Sequence, residues 1–235
     1  MRRQELLPRL GIAPTIGGRV RVALGDAIRA AERQAPHRVR VLDAGCGRKS
    51  PLVRFRPRIA ELVAVDIHEP AVPLAWVDDF AVVDLCRPTT LDSAEPFDVI
   101  LSNFTLEHFA EPDVALANFR EWLRPGGTLV VTTVNRWHPF VDTYLRLPDR
   151  ARRRLQPVLK ASREDAHPLV GACNDPRAVR AALHAAGFED VRIETVANLA
   201  RAWGRHQATF ALGLAGDLLT RSMPARRSTI LALAR

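Results

Sequence analysis

The residues best suited to chemistry in this sequence are three aspartates, each at the end of a short apolar run. Asp43 is followed by the turn Ala44-Gly45-Cys46-Gly47, and Asp66 and Asp84 end the next two runs. Two spaced glycines permit a tight turn and let a ligand approach the backbone closely. Carboxylates at strand ends can accept hydrogen bonds from the hydroxyl groups of a ribose. The pattern therefore predicts a site for a ligand that contains a nucleoside.

The positions of these residues also predict individual roles. We assign Asp66 to the hydroxyl groups of a ribose and Asp84 to the amino group of an adenine, with Ile67 and Leu85 on either side of the base. Any one of the acids, taken alone, could instead be a helix cap or a solvated loop residue. Three acids at successive strand ends indicate a shared ligand-binding edge, because open α/β sheets bind ligands beyond the carboxyl ends of their strands.

Five nearly continuous apolar runs predict strands that are buried on both faces of a parallel sheet. These runs are Val39 to Asp43, Leu62 to Asp66, Ala81 to Asp84, Phe97 to Leu101 and Thr128 to Val134. A helix is predicted after Glu111-Pro112, and Pro125-Gly126-Gly127 is expected to end it. Its apolar stripe is Ala115, Phe119, Trp122 and Leu123. The alternation of strands and helices predicts a doubly wound α/β fold.

The chain is expected to form a single domain over residues 1–235. Residues 1–38 are a helical leader, residues 39–134 the cofactor-binding core, residues 135–174 a lid or insertion, and residues 175–235 the C-terminal part of the sheet. The expected buried face of the leader helix consists of Val20, Val22, Leu24, Ile28 and Ala31. The C-terminal part is predicted as a helix capped by Asp175 and ended by Gly187, an alternating strand from Val191 to Thr195, a helix from His206 to Arg221 and a strand from Ser228 to Ala234.

The segment from Asn135 to Asn174 interrupts this regular pattern. It is rich in arginine and proline and contains Tyr144, Trp137, His138, Phe140 and His167. Long irregular segments in compact domains are usually functional or disordered. We expect this segment to cover the substrate, and its arginines could hold an anionic group of that substrate. The alternative is a solvated, mobile insertion.

Several motifs occur together and in order. They are Asp43-Ala44-Gly45-Cys46-Gly47, Val65-Asp66, Val83-Asp84-Leu85, Phe97-Asp98-Val99-Ile100, Leu106-Glu107-His108-Phe109 and Leu123-Arg124-Pro125-Gly126-Gly127-Thr128-Leu129. This set resembles the class I S-adenosylmethionine-dependent methyltransferases over about residues 39–134 and again over 187–235. The chain departs from the family at Lys49, where a small residue is common, and at Pro51 and Pro57, which favour a short or kinked first helix.

The resemblance implies a fold, a cofactor and a set of contacts. The fold is Rossmann-like, with a seven-stranded, mostly parallel sheet whose last strand is antiparallel. The cofactor is S-adenosyl-L-methionine and the product S-adenosyl-L-homocysteine. The turn of Gly45, Cys46 and Gly47, next to Asp43, would cradle the methionine part of the cofactor. Ser102, Asn103 and Phe104 would line the pocket near the sulfonium.

The acceptor is inferred from the turn after the fourth strand. Ser102-Asn103-Phe104-Thr105 differs from the Asn/Asp-Pro-Pro-aromatic turn of many enzymes that methylate exocyclic amines or amides, and it contains no cysteine nucleophile. We therefore expect O-methylation of a small molecule or saccharide. Candidate general bases are His108 and His138, with His167 as a further candidate; packing or a backbone hydrogen bond is an equally good explanation of His108.

Two other functions remain open from the sequence. An RNA methyltransferase would use the basic segment Arg146 to Lys160 as a phosphate track, and a non-catalytic protein would bind the cofactor without turnover. A dinucleotide enzyme is disfavoured because the sequence has no third glycine soon after Gly47. The net charge of +8 is weak support for a nucleic-acid partner, since Lys49 and Lys160 are the only lysines and the arginine excess suits GC-rich codon usage.

The composition limits the class of protein and its cellular location. The content of 47% hydrophobic and 26% charged residues is ordinary for a globular domain. Three scattered cysteines suggest neither disulfides nor a zinc cluster, so no metal is expected. The start of the chain shows no secretory signal, and the apolar stretch Ala208 to Leu219 is too short to span a membrane, which predicts a cytoplasmic protein. Five apolar residues of that stretch are expected to cover the sheet, or alternatively to face a lipid-linked acceptor or a membrane: Phe210, Leu212, Leu214, Leu218 and Leu219.

Overall fold

The computed structural model describes residues 7–12, 15–34, 38–91, 95–159, 170 and 172–235. Within these residues, seven strands form a sheet in the order β3-β2-β1-β4-β5-β7-β6. Strand β7 runs antiparallel to both of its neighbours, and the pairs among β1 to β5 are parallel. The strands are β1 Arg40–Ala44, β2 Glu61–Asp66, β3 Asp79–Val82, β4 Phe97–Asn103, β5 Leu123–Val134, β6 Val191–Val196 and β7 Thr229–Ala234. The predicted sheet, including its antiparallel last strand, is confirmed.

Helices cover both faces of this sheet. The α-helices are α1 Ile16–Gln34, α2 Pro112–Trp122, α3 Pro139–Arg146, α4 Asp149–Leu159, α5 Pro176–Ala185, α6 Leu199–Ala202 and α7 Gln207–Leu219. Short 3-10 helices occupy Pro51–Arg58, Leu106–His108 and Pro224–Arg226. The 3-10 form of Pro51–Arg58 agrees with the short first helix expected from its two prolines.

The apolar core has two layers, one on each face of the sheet. Alternate residues of β1 point to opposite layers: Leu42 packs in the layer that contains α2 and α5, and Val41 packs in the layer that contains α1. Because both faces are covered, the strands need apolar residues at successive positions. This packing explains why the sequence showed continuous apolar runs rather than alternation.

The predicted helix ends are confirmed where a specific side chain makes them. At the start of α5, one carboxylate oxygen of Asp175 accepts hydrogen bonds from the backbone N–H groups of Arg177 and Ala178, both at 2.9 Å. Beyond its end, Gly187 adopts a φ of +87°, which favours glycine. These caps depend on local geometry alone, and the sequence therefore predicts them well.

Two expectations about the bounds and faces of individual elements were wrong. Val22 is 58% exposed, since the buried face of α1 follows Val20, Leu24 and Ile28, spaced four residues apart. Strand β5 begins at Leu123 and includes Pro125-Gly126-Gly127, because α2 already ends at Trp122.

The segment 135–174 is also more regular than expected. It contains α3 and α4, because Pro139 occupies the first turn of α3, where proline is tolerated, and arginine, abundant in α4, is a good helix former. Residues 160–169 and 171, including His167, lie outside the described residues.

Helix α7 also packs differently from the expectation. Its inner face is made of small and polar residues, whereas Leu212, Leu218 and Leu219 are 47%, 39% and 52% exposed. A Cβ atom added to Gly213 would lie 2.6 Å from the carbonyl oxygen of Leu199 in α6. The close approach of the two helices needs glycine on the inner face, and it turns these leucines away from the sheet.

The same inner face carries a buried carboxylate. Asp217 accepts hydrogen bonds from the backbone N–H groups of Leu199 at 3.0 Å and Ala200 at 2.8 Å, and from the Ser228 hydroxyl at 3.3 Å. It therefore joins α7 to the start of α6. No described helix has both the length and the apolar character needed to cross a membrane.

The contact between α6 and α7 predicts a measurable loss of stability. Replacement Gly213→Ala places its Cβ against the backbone of Leu199 and Ala200, and we expect the free energy of unfolding to fall by about 1–3 kcal/mol. The matched control is Gly17→Ala in α1, where a Cβ meets nothing within 4 Å. Urea denaturation of both variants tests the contact; equal stability of Gly213→Ala and the wild type would contradict it.

Candidate functional site

The strand register brings the first two predicted acids to one face of the sheet. Asp43 of β1 pairs with Ala64 of β2, and Asp66 lies two residues farther along β2, so both side chains point to the face covered by α1. Asp66 pairs in turn with Val82, the last residue of β3. Asp84 lies two residues beyond that strand end. The three acids thus lie at the carboxyl ends of three adjacent strands, as predicted: Asp43 and Asp66 within β1 and β2, and Asp84 just beyond β3.

The turn after β1 has the backbone that its glycines predict. Gly45 and Gly47 have φ angles of +76° and +53°. A Cβ atom on Gly45 would lie 2.1 Å from the Cγ2 atom of Thr105, in the turn after β4, so a larger residue does not fit. A Cβ atom on Gly47 would meet nothing within 4 Å, which leaves its backbone open on that side. The turn is therefore packed on one side and bare on the other.

Asp66 contacts this turn directly. One of its carboxylate oxygens accepts a hydrogen bond from the backbone N–H of Gly47 at 3.0 Å, and the other accepts one from the N–H of His68 at 3.2 Å. A carboxylate has about four lone-pair positions, so further donors can be accepted. The structure thus brings two sequence-predicted binding elements together.

Asp43 is buried beneath the same turn. Its side chain is 2% exposed, and one carboxylate oxygen, Oδ2, has no hydrogen-bond partner among the described residues. Burial raises the pKa of Asp43 to about 7, a hydrogen bond from the Ser50 side chain opposes this shift, and the nearby charge of Asp66 adds to it. Burial likewise raises the pKa of the Cys46 thiol to about 12, so that thiol is neutral. A buried acceptor without a donor is costly and marks a place for an external donor.

The residues predicted to contact the adenine base differ in their exposure to solvent. Asp84 accepts hydrogen bonds from the backbone N–H of Cys86 at 3.0 Å and from the Arg87 guanidinium at 3.2 Å, so it also caps the turn that follows it. Ile67 is 51% exposed, whereas Leu85 is only 6% exposed and packs in the core layer of α2. Ile67 therefore has the free apolar surface that a base could cover, and Leu85 offers little.

The turn after β4 is held by hydrogen bonds from its neighbours. The buried Ser102 hydroxyl bonds the hydroxyl of Thr105, and the side-chain oxygen of Asn103 accepts a hydrogen bond from the Thr132 hydroxyl at 2.9 Å. The backbone N–H of Phe104 donates to the Thr132 hydroxyl at 2.9 Å. Phe104 has a φ of +59°, an uncommon conformation outside glycine, and such strain often occurs at functional sites.

The two candidate histidines have different surroundings. His138 is fully buried, its Nδ1 accepts a hydrogen bond from the backbone N–H of Phe140 at 3.2 Å, and it caps α3. Burial lowers its pKa. A Cβ atom added to Gly216 of α7 would lie 3.0 Å from the Cε1 atom of its imidazole, so His138 packs closely against that helix. Its assignment as a general base stays a prediction. His108 is half-buried at the end of the 3-10 helix Leu106–His108.

A buried polar cluster next to His108 was not found from the sequence. Glu107 is 3% exposed and accepts a hydrogen bond at 3.0 Å from the hydroxyl of Thr133, which also lies 3.3 Å from the side-chain oxygen of Asn174. The cluster ties the 3-10 helix after β4 to the end of β5. Its one sequence signal is a glutamate inside the apolar motif Leu106-Glu107-His108-Phe109.

The buried carboxylate predicts a pH dependence of stability. The folded state raises the pKa of Asp43 to about 7 from 3.8, so the folded protein holds more protons than the unfolded chain between these values. Stability should therefore fall as pH rises through this window. Because asparagine does not titrate, the free energy of unfolding of Asp43→Asn should fall less than that of the wild type between about pH 4.5 and about pH 7.5. Urea unfolding at several pH values in this range measures the difference. The exposed control Glu121→Gln should follow the wild-type curve, and a curve for Asp43→Asn parallel to the wild type would contradict the shift.

Comparison with known proteins agrees with this geometry. A family model described as a methyltransferase domain matches residues 17–193. A ubiquinone biosynthesis O-methyltransferase of Mesorhizobium japonicum is 36% identical over 108 residues, a match that covers 42% of this chain and 42% of the relative. The matched region thus spans less than half of the length of that relative.

Solved structures share the fold at low sequence identity. The plantazolicin methyltransferase BpumL, in complex with a desmethyl analogue and S-adenosylhomocysteine, has a TM-score of 0.54 and 16% identity, with 92% of this chain and 84% of that chain covered. The [4+2]-cyclase SpnF has a TM-score of 0.52 and 21% identity, with 91% and 80% covered. At these identities the likeness concerns the fold alone. The family match covers well over half of the chain, and the chain therefore belongs to the methyltransferase domain family.

Proposed function

We propose that this protein binds S-adenosyl-L-methionine at the carboxyl edge of β1 to β4 and catalyses methyl transfer to an oxygen of a small-molecule or saccharide acceptor, with S-adenosyl-L-homocysteine as product. One observation carries the cofactor assignment: the buried Oδ2 atom of Asp43, without a donor among the described residues, lies beneath the bare turn of Gly45 to Gly47. A ligand with a cationic amino group beside a nucleoside supplies the donor that this atom needs.

The surrounding residues fit the rest of the cofactor. The turn formed by Gly45, Cys46 and Gly47 would hold the methionine part, with Asp43 as the acceptor for its ammonium group. Asp66, with lone pairs to spare, would accept the ribose hydroxyl hydrogens. The adenine would lie between Ile67 and the backbone around Asp84 and Leu85. Ser102, Asn103 and Phe104 would line the sulfonium end.

When bound, the cofactor supplies a methyl group on positively charged sulfur, which is already activated for displacement. The protein then has to orient the acceptor and exclude water. His108 is proposed as the general base that takes the proton of an acceptor hydroxyl, since it follows the turn after β4 and is held beside the Glu107 cluster. The similarity to a ubiquinone biosynthesis O-methyltransferase supports oxygen as the methylated atom.

Two further points of the proposal concern the surroundings of the site. We propose that the described part of the segment 135–174, which contains α3 and α4, covers the acceptor, since it leaves the carboxyl end of β5 next to the turn after β4. We also propose a cytoplasmic location, which the three free cysteines support because thiols persist in reducing compartments.

The cofactor assignment predicts the effect of removing one carboxylate. Asp66→Ala loses the ribose acceptor, and we expect the affinity for S-adenosylhomocysteine to fall about 10- to 100-fold, as for the loss of one or two charge-assisted hydrogen bonds. The control is Asp79→Ala, which removes an exposed acid at the opposite end of β3. Isothermal titration calorimetry measures both affinities. Equal affinity in Asp66→Ala and wild type would remove the ribose assignment.

The activity itself is tested by an acceptor screen with methyl-labelled cofactor. We expect label in hydroxyl-bearing small molecules or saccharides, and a His108→Ala variant should lose about 10²-fold in kcat without losing affinity for S-adenosylhomocysteine. Label in RNA alone would favour a nucleic-acid methyltransferase. Cofactor binding with no labelled acceptor of any class would favour a non-catalytic binding protein.

A further inference from the structure

An open groove with a volume of about 750 Å³ lies outside the cofactor residues described above. Its lining includes four arginines, namely Arg136, Arg146, Arg177 and Arg226, together with Trp137 and Asp142. The volume lies within the range of small-molecule sites. The groove therefore combines the size of a ligand site with a formal lining charge of +3, from four arginines and one aspartate.

The groove lies at the same edge of the sheet as the cofactor residues. Arg136 and Trp137 follow the carboxyl end of β5, and α3 continues from them. Arg226 precedes β7, whose start lies at this edge because β7 is antiparallel to β5. Strand β6 is parallel to β5, because both pair antiparallel with β7. Arg177 is in the first turn of α5, the helix that leads back to the start of β6, so Arg177 also lies at this edge. The acids thus lie at the tips of β1 to β3, and the arginines lie beyond β5, before β7 and at the start of α5.

Buried hydrogen bonds hold the walls of the groove in place. The fully buried Asn135 donates its side-chain N–H groups to the carbonyl oxygens of Ala225 at 2.9 Å and Arg227 at 2.7 Å. The backbone N–H of Arg136 donates to the carbonyl of Asn174 at 2.7 Å. These bonds fix the loop before β7 and the approach to α5 against the end of β5. The convergence of arginines from four segments is therefore built into the fold.

The arginines are only partly neutralised. Asp142 forms an ion pair with Arg146 at 2.7 Å and with Arg136 at 3.8 Å. The guanidinium of Arg177 lies over the ring of Trp137, 5.5 Å from its centroid. Among the described residues, no carboxylate lies within ion-pair distance of Arg177 or Arg226. Within the described part of the chain, these two cations therefore have no carboxylate partner.

We propose that this groove binds the anionic group of the methyl acceptor, a phosphate, sulfate or carboxylate, and so selects acidic acceptors over neutral ones. This proposal rests on the proposed function. Arginine suits this role because its planar guanidinium can donate two parallel hydrogen bonds to such groups. Trp137 and Pro139 supply an apolar wall for the part of the acceptor next to the anion.

The sheet spacing limits the shape of such an acceptor. The sulfonium end of the cofactor site is at the turn after β4, and the groove is at the tips of β5 and β7, one to two strands away. Neighbouring strands are about 4.8 Å apart, so the anion would lie about 5–10 Å from the methylated oxygen. A phenolic or sugar hydroxyl on the far side of one ring from an acidic group meets this requirement.

The test measures binding of phenyl phosphate, benzoate and neutral benzyl alcohol to the full chain by isothermal titration calorimetry, with S-adenosylhomocysteine binding measured in parallel. The test variant is Arg177→Gln with Arg226→Gln, and the matched control is Arg21→Gln with Arg33→Gln, which removes two exposed arginines from α1. We expect phenyl phosphate or benzoate to bind, benzyl alcohol to bind more weakly, and the groove variant to lose about tenfold or more in anion affinity. The preferred anion distinguishes a phosphate from a carboxylate source.

The outcomes separate this inference from the function on which it rests. Unchanged anion affinity in the groove variant, with normal S-adenosylhomocysteine binding, would overturn the groove assignment alone. Anion binding that depends on the groove arginines, without any S-adenosylhomocysteine binding, would overturn the proposed function alone. An equal loss in the groove and control variants, with displacement of phenyl phosphate by single-stranded RNA, would indicate a nucleic-acid surface and also overturn the inference.

Discussion

The close contact between the turn after β1 and the turn after β4 is the constraint on which the candidate site depends. Thr105 packs so near to Gly45 that a single added methyl group would lie 2.1 Å from its Cγ2 atom. Because β1 and β4 are neighbours in the sheet, this contact holds the glycine turn against the turn that contains Phe104 and the hydrogen-bonded Asn103. The two parts of the proposed cofactor site are thus held in one arrangement by packing, before any ligand contributes.

Charge is distributed unevenly along the edge that this contact organises. Acidic side chains lie at the carboxyl ends of β1 and β2 and just beyond β3, whereas arginines gather beyond β5 and before β7. A cationic cofactor and an anionic acceptor would each meet charges of opposite sign, and both would be directed toward the turn after β4. Such an arrangement orients two reactants toward each other through fixed charges, which is the main contribution a protein can make to a displacement on an activated methyl group.

Buried polar groups hold the segments that surround the site. Asn135 fixes the loop before β7, Glu107 fixes the 3-10 helix after β4, and Asp217 fixes the start of α6. Each is buried, and each accepts or donates specific hydrogen bonds to a distant part of the chain. Asp43 differs from them, because one of its oxygens lacks a donor within the described chain. The contrast separates groups that serve the fold from the group that best fits a ligand.

The sequence by itself determined the strands, the order of the motifs and the acids at the strand ends, because these depend on short apolar runs, turn glycines and local caps such as Asp175. It was misleading for Leu212, Leu218 and Leu219 of α7, because the exposure of those side chains depends on glycines on the opposite face of the same helix, which pack against α6. Only the tertiary structure decided that Thr105 closes on Gly45, that Phe104 takes a left-handed conformation, and that arginines from distant segments share a groove. These features arise from contacts between residues far apart in the chain, and local residue patterns do not encode which distant partners meet.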